Sequence, residues 1–102
     1  MIQENNVERR LLTQAEIDGA AAELTGWAAD DGKLRKQFKF TSFAAAIGWI
    51  VSVAIYADKI DHHPNWSNVY NRVTVELWTH DLEALSTLDV LLARRMNLLA
   101  GE

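Results

Sequence analysis

Leu34-Arg35-Lys36-Gln37-Phe38-Lys39-Phe40-Thr41-Ser42-Phe43-Ala44-Ala45-Ala46-Ile47-Gly48-Trp49-Ile50 is the stretch on which the fold turns, because its periodicity changes halfway along. Up to Phe40 the period is two. Leu34, Phe38 and Phe40 share one side and Arg35, Gln37 and Lys39 the other, which predicts a strand with one wet face. Lys36 is the one polar residue on the apolar side. From Thr41 or Ser42 a helix is expected, running to about Lys59. Phe43, Ile47, Ile50 and Ala54 form one apolar stripe; Trp49, Val53, Tyr56 and Ile60 form another. A helix apolar around most of its circumference has to be covered on more than one side. A single small sheet covers one side, so the composition points to a second subunit; the alternative is a deeply buried central helix.

Working outward, Thr13-Gln14-Ala15-Glu16 reads as a capping box, with Leu12 and Ile17 placed for a hydrophobic staple across it. Ile17, Ala20, Ala21 and Leu24 then mark one helical face, and Gly26 ends the helix. Trp27–Asp30 is a short strand candidate, and Asp31-Gly32 is the turn into the next strand. Beyond the long helix, Val73, Val75 and Leu77 alternate with Arg72, Thr74, Glu76, Trp78 and His80, a second one-sided strand that puts His80 on the polar face at its end. Ser86-Thr87-Leu88-Asp89 is another capping box, opening a last helix whose buried face would be Leu88, Leu92, Met96 and Leu99 and whose end is Gly101. Arg94-Arg95 reads as a solvated pair. This order lacks regular βαβ alternation and predicts an α+β sandwich, a small antiparallel sheet with helices on one face.

The chain's 102 residues suit one domain (1–102), with a loose tail over residues 1–10. Hydrophobic residues make up 49% and charged residues 24%, which excludes a disordered chain. With no cysteine, disulfides, thiolate metal sites and cysteine nucleophiles are excluded. A net charge of −4 argues against direct nucleic-acid binding. Met1–Asn6 lacks the basic start and apolar run of a signal peptide, and Thr41–Ala57 is short of the roughly 20 residues of a membrane span. The expectation is a cytoplasmic protein with no membrane partner.

The chemistry centres on Asp61-His62-His63-Pro64 and His80. Pro64 holds His63 extended and makes this segment a loop rim, from which both rings can address one cavity. Imidazoles titrate near neutral pH and exchange donor and acceptor roles, so three together suit proton transfer. Asp58 and Asp61 are near enough to orient a ring. Two other readings stay open: polar residues capping the long helix, or a three-histidine zinc site, for which adjacent histidines are awkward ligands. Asp89 is accounted for by its capping box alone. Trp66 and Tyr70 suit either a flat heterocycle or the sheet. Phosphate-cradling glycine loops and serine elbows are absent from the sequence.

Asp58, His62-His63-Pro64, Tyr70, His80 and Asp89, at these spacings, resemble the signature of the pterin-4a-carbinolamine dehydratase family. Gly26-Trp27, Gly32, Lys36-Gln37-Phe38, Phe40, Phe43, Gly48 and Asn68-Val69-Tyr70-Asn71 extend the likeness from about Leu12 to the last helix. The resemblance implies a four-stranded antiparallel sheet with three helices, assembled as homodimers or homotetramers. It implies a hydro-lyase that removes water from 4a-hydroxytetrahydropterin to give quinonoid dihydropterin, in tetrahydropterin recycling, with no metal or organic cofactor. His62 and His80 would carry acid and base roles and His63 would hold the substrate. Asp58 or Asp61 would orient a ring, with Pro64 and Asp89 in the site and Trp27 lining the pterin pocket. Trp78 departs from the family pattern, being bulkier than the residue expected two places before His80. Relatives also serve as dimerisation or assembly cofactors of other proteins. On that reading the apolar stripe around Trp49, Val53 and Tyr56 would be the interaction surface.

Overall fold

A computed structural model describes residues 8–102. The elements run α1 (Gln14–Glu23), β1 (Ala28–Asp30), β2 (Lys33–Lys39), α2 (Phe43–Ile60), β3 (Asn65–Val69), β4 (Arg72–Leu77), a 3-10 turn (His80–Leu82) and α3 (Thr87–Leu99). The four strands form one antiparallel sheet in the order β1-β2-β4-β3. The fold is α+β, with three helices and a four-stranded sheet, as the sequence predicts.

The two-residue period of β2 and β4 sets the register. Leu34 lies opposite Leu77 and Phe38 opposite Val73, so the apolar side chains of both strands emerge on one face. Leu34, Phe38, Val73, Val75 and Leu77 are buried, while Gln37, Lys39, Arg72 and Thr74 stay in water. Against the buried face pack α2 and α3. The Trp49 ring lies 4.5 Å from that of Phe38 and 6.1 Å from that of Trp66, and its Nε1–H donates to Met96 O at 3.1 Å. Trp66 thus belongs to the sheet, and Tyr70 is exposed on the β3–β4 turn.

Lys36, on the buried side of β2, is satisfied within the protein. Its ammonium donates to Thr25 O (2.7 Å), Asn97 Oδ1 (2.9 Å) and Glu102 Oε1 (2.7 Å). Gly26 makes room for it: a Cβ there would come within 2.7 Å of the Lys36 stem, and the backbone has φ +82°, which costs any other residue steric strain.

Several expectations are corrected. The strand β3 escaped the alternation pattern because only Trp66 among its larger side chains turns inward; Val69 is exposed at the sheet edge. The second α2 stripe, Trp49, Val53 and Tyr56, is buried within the chain and is not a free interaction surface; the exposed stripe is Phe43, Ile47, Val51 and Ile55. By length and composition α2 suffices to cross a bilayer, beyond what Thr41–Ala57 suggested, yet its inner stripe is committed to the core. Leu99 is exposed, and the buried face of α3 includes Val90, Leu91 and Ala93 beside Leu88, Leu92 and Met96. Arg94 and Arg95 are half-buried; Arg95 lies over the Tyr56 ring at 4.3 Å. Of the expected tail, residues 1–7 lie outside the described residues. Residues 8–10 dock on α3: Glu8 O accepts the Thr87 hydroxyl (2.7 Å) and Thr87 N–H donates to Arg10 O (3.0 Å).

Candidate active site

The C-terminus of α2 positions the first two histidines. Asp61 closes the helix in the left-handed region, φ 51°, ψ 46°, a conformation that aspartate tolerates better than most residues. His62 N–H returns to Ala57 O at 3.0 Å, the six-to-one bond of a Schellman closure. The chain therefore leaves α2 at a fixed angle. His62 turns inward and is buried at 8% exposure, whereas His63, one residue on, is exposed.

Beneath His62 lies Asp89, in the first turn of α3 and fully buried. Its Oδ1 accepts from His62 Nε2 at 2.5 Å, and its Oδ2 accepts from the Thr79 hydroxyl and from Ser86 N–H, both at 2.9 Å. Three donors and the positive end of the helix dipole compensate a carboxylate shut away from water. With Nε2 donating, neutral His62 carries its lone pair on Nδ1. Asp89 is both the cap that the sequence indicated and the anchor of an imidazole 27 positions away.

His63 Nε2 donates to Asp58 Oδ1, near the end of α2, at 2.8 Å. His80 stands on the 3-10 turn just past β4, where Asn65 at the head of β3 donates its side-chain amide to His80 Nε2 at 2.9 Å. This contact leaves Nδ1 as the N–H of the neutral ring. The Trp78 ring stacks on His80, with centroids 4.3 Å apart at 21°.

The three histidines line an open cleft of about 500 Å³ together with Arg9, Asp61, Pro64, Asn65, Thr79, Asp81 and Leu88. All three histidines thus face one hollow. Trp27 does not. It is a core residue, edge-on to Phe38 and donating from Nε1 to Asn97 Oδ1 at 2.9 Å, because its place before β1 turns it under the sheet. Thr79, Asn65 and Arg9 were missed. Thr79 had a signal, since it continues the buried parity of Val73, Val75 and Leu77; Arg9, ion-paired with Asp81, had none. Among the described residues, no three His, Cys, Asp or Glu side chains are grouped to hold a metal ion.

An α+β sandwich whose wet end carries three imidazoles on one cleft defines a small class of domain. Residues 10–99 match the family model of pterin 4 alpha carbinolamine dehydratase, and the chain belongs to that family. A Brucella ovis protein named "Putative pterin-4-alpha-carbinolamine dehydratase" is 44% identical over 95 residues, covering 91% of this chain and 98% of its own; a like-named Brucella melitensis biotype 1 protein matches equally. The crystal structure of a transcriptional coactivator/pterin dehydratase from Brucella melitensis superposes with a TM-score of 0.86 at 42% identity, over 90% of this chain and all of that one. A pterin dehydratase-like protein identified as a RuBisCO assembly factor in the alpha-carboxysome shares the fold, with a TM-score of 0.62 at 23% identity over 74% of this chain and 88% of that one.

Proposed function

We propose that this protein removes water from 4a-hydroxytetrahydropterin to give quinonoid dihydropterin, within the recycling of a tetrahydropterin cofactor in the cytoplasm. The observation that carries the reading is the buried His62–Asp89 pair on the same cleft as His63 and His80. Dehydration breaks the C4a–O bond. The oxygen takes a proton and leaves as water, the electron pair of a ring nitrogen forms the new double bond, and a ring N–H gives up a proton. Atoms and charge balance with no redox partner. One imidazole donates the first proton and another accepts the second.

His62 and His80 take the acid and base roles, and His63, paired with Asp58, holds the substrate near its hydroxyl. Asp61 and Pro64 shape the wall beside them. A positioned proton-transfer group contributes about 10²–10⁴-fold. His62→Ala and His80→Ala are therefore expected to lower kcat for freshly generated 4a-hydroxytetrahydropterin at least about tenfold with the fold intact. A wild-type rate in either variant would remove that residue from the mechanism.

A second reading, a protein-binding role, is favoured by the exposed stripe of α2. Phe43, Ile47, Val51 and Ile55 recur every four residues, with Ile55 69% exposed. Contiguous apolar surface of this kind marks an interface. We assign it first to self-association as a homodimer or homotetramer, and secondarily to another protein. Ile55→Glu is expected to shift the sedimenting species towards monomer; an unchanged distribution, or a wild-type monomer, argues against the assignment to self-association.

A further inference from the structure

We propose that Trp78 is a positioning residue for the dehydration, holding the His80 imidazole in its working orientation; this rests on the dehydratase reading above. His80 is exposed and stands on a three-residue turn, with little packing from its own element. An exposed imidazole on such a turn samples several rotamers, and only some aim at a substrate in the cleft. Two contacts limit that freedom. The Asn65 amide fixes Nε2 at one edge, and the Trp78 indole covers a ring face.

The stack follows from the strand. Residues 78 and 80 continue the outward parity of Arg72, Thr74 and Glu76, so the two rings leave the chain on the same side. Trp78 is itself held. It is half-buried, and the Lys33 ammonium sits 4.3 Å from its ring centroid. Leu34 pairs with Leu77, so the next place along the antiparallel register sets Lys33 beside Trp78. A broad ring fixed by a neighbouring strand thereby gives the His80 turn a rigid support. Trp78 is not among the residues that line the cleft, which leaves His80 as the group through which it acts.

The test compares Trp78→Leu and Trp78→Phe in the full-length chain, with steady-state dehydration kinetics and proton NMR of the His80 ring. In Trp78→Leu, kcat is expected to fall about five- to tenfold, the scale of one aromatic pair, with KM within about twofold. Trp78→Phe keeps a stacking face and is expected to recover about half of the lost rate. The His80 carbon-bound ring protons should move downfield when the indole is removed and return part of the way with Phe. Wild-type kcat in Trp78→Leu overturns the proposal, as do His80 shifts that ignore the substitution. Equal losses in both variants also overturn it, since the ring would then not be the operative feature. A wild-type chain without dehydratase activity overturns the functional reading instead, and the NMR shifts then decide by themselves whether Trp78 holds the ring.

Discussion

Asp89→Asn changes one oxygen to an amide nitrogen without changing the shape of the side chain, and the structure dictates which way the amide turns. The carboxylate accepts three hydrogen bonds, one from His62 and two from Thr79 and Ser86. The Thr79 hydroxyl can rotate to accept, but Ser86 N–H can only donate. Turning the new NH₂ group towards Ser86 would leave a buried N–H without an acceptor, a penalty of about 1–3 kcal/mol. The amide oxygen therefore stays on Ser86 and Thr79, and the NH₂ group faces His62. The imidazole Nε2 must then accept, so the neutral ring turns Nδ1 from lone pair to N–H. On the proposed acid–base role, a ring that works through the Nδ1 lone pair becomes a fixed donor there. The expected loss in kcat is about 10²–10³-fold, within the range of a positioned acid or base, with KM changed little. Stability falls by about 1–3 kcal/mol, since all three charge-assisted bonds to the carboxylate become bonds to a neutral amide. Both are measurable, by stopped-flow dehydration of freshly generated substrate and by urea unfolding. A variant folded as wild type and within about twofold of its kcat would refute the anchoring role of Asp89.

Two further outcomes concern stability. Asn97→Ala removes the acceptor shared by Trp27 Nε1 and Lys36 Nζ and is expected to destabilise by about 2–3 kcal/mol, lowering Tm by roughly 10–20 °C in thermal unfolding; a shift of less than about 3 °C would mean that the buried network carries little weight. Glu16, in the first turn of α1, is held down to about 2 by the Arg10 guanidinium, with a smaller contribution from Thr13 N–H. Because its folded value lies below the usual 4.5, its stabilisation is present above 4.5 and is lost as pH falls towards 2. Glu16→Gln should flatten the acid limb of a urea-midpoint against pH curve, and an unaltered limb would assign acid sensitivity elsewhere.

The helix boundaries and the one-sided strands were legible because they rest on local chemistry. Thr13 and Ser42 act as caps through bonds to residues three places on, and β2 and β4 display their burial as a period of two. The histidine cluster was legible in kind, since His62, His63 and His80 all line the cleft. What stayed hidden involved partners distant along the chain. The capping role of Asp89 was complete in itself and masked its bond to His62. Trp27 is held in the core by Asn97, 70 positions later, which receives its N–H, and nothing local to Gly26-Trp27 indicates that partner. The edge strand β3 shows almost no alternation because Asn68, which shares the parity of the inward Trp66, is polar, while Val69 on the other side is apolar and exposed.

By itself the sequence determined the three helices, the one-sided strands β2 and β4, the α+β class, the family resemblance and the three titratable imidazoles, since capping, periodicity and side-chain chemistry act within a few residues. The tertiary structure alone decided which imidazole is buried, which carboxylate holds it, and which stripe of α2 is left in water. Those outcomes depend on how segments separated by dozens of residues come together across the sheet, and a local pattern carries no record of that geometry.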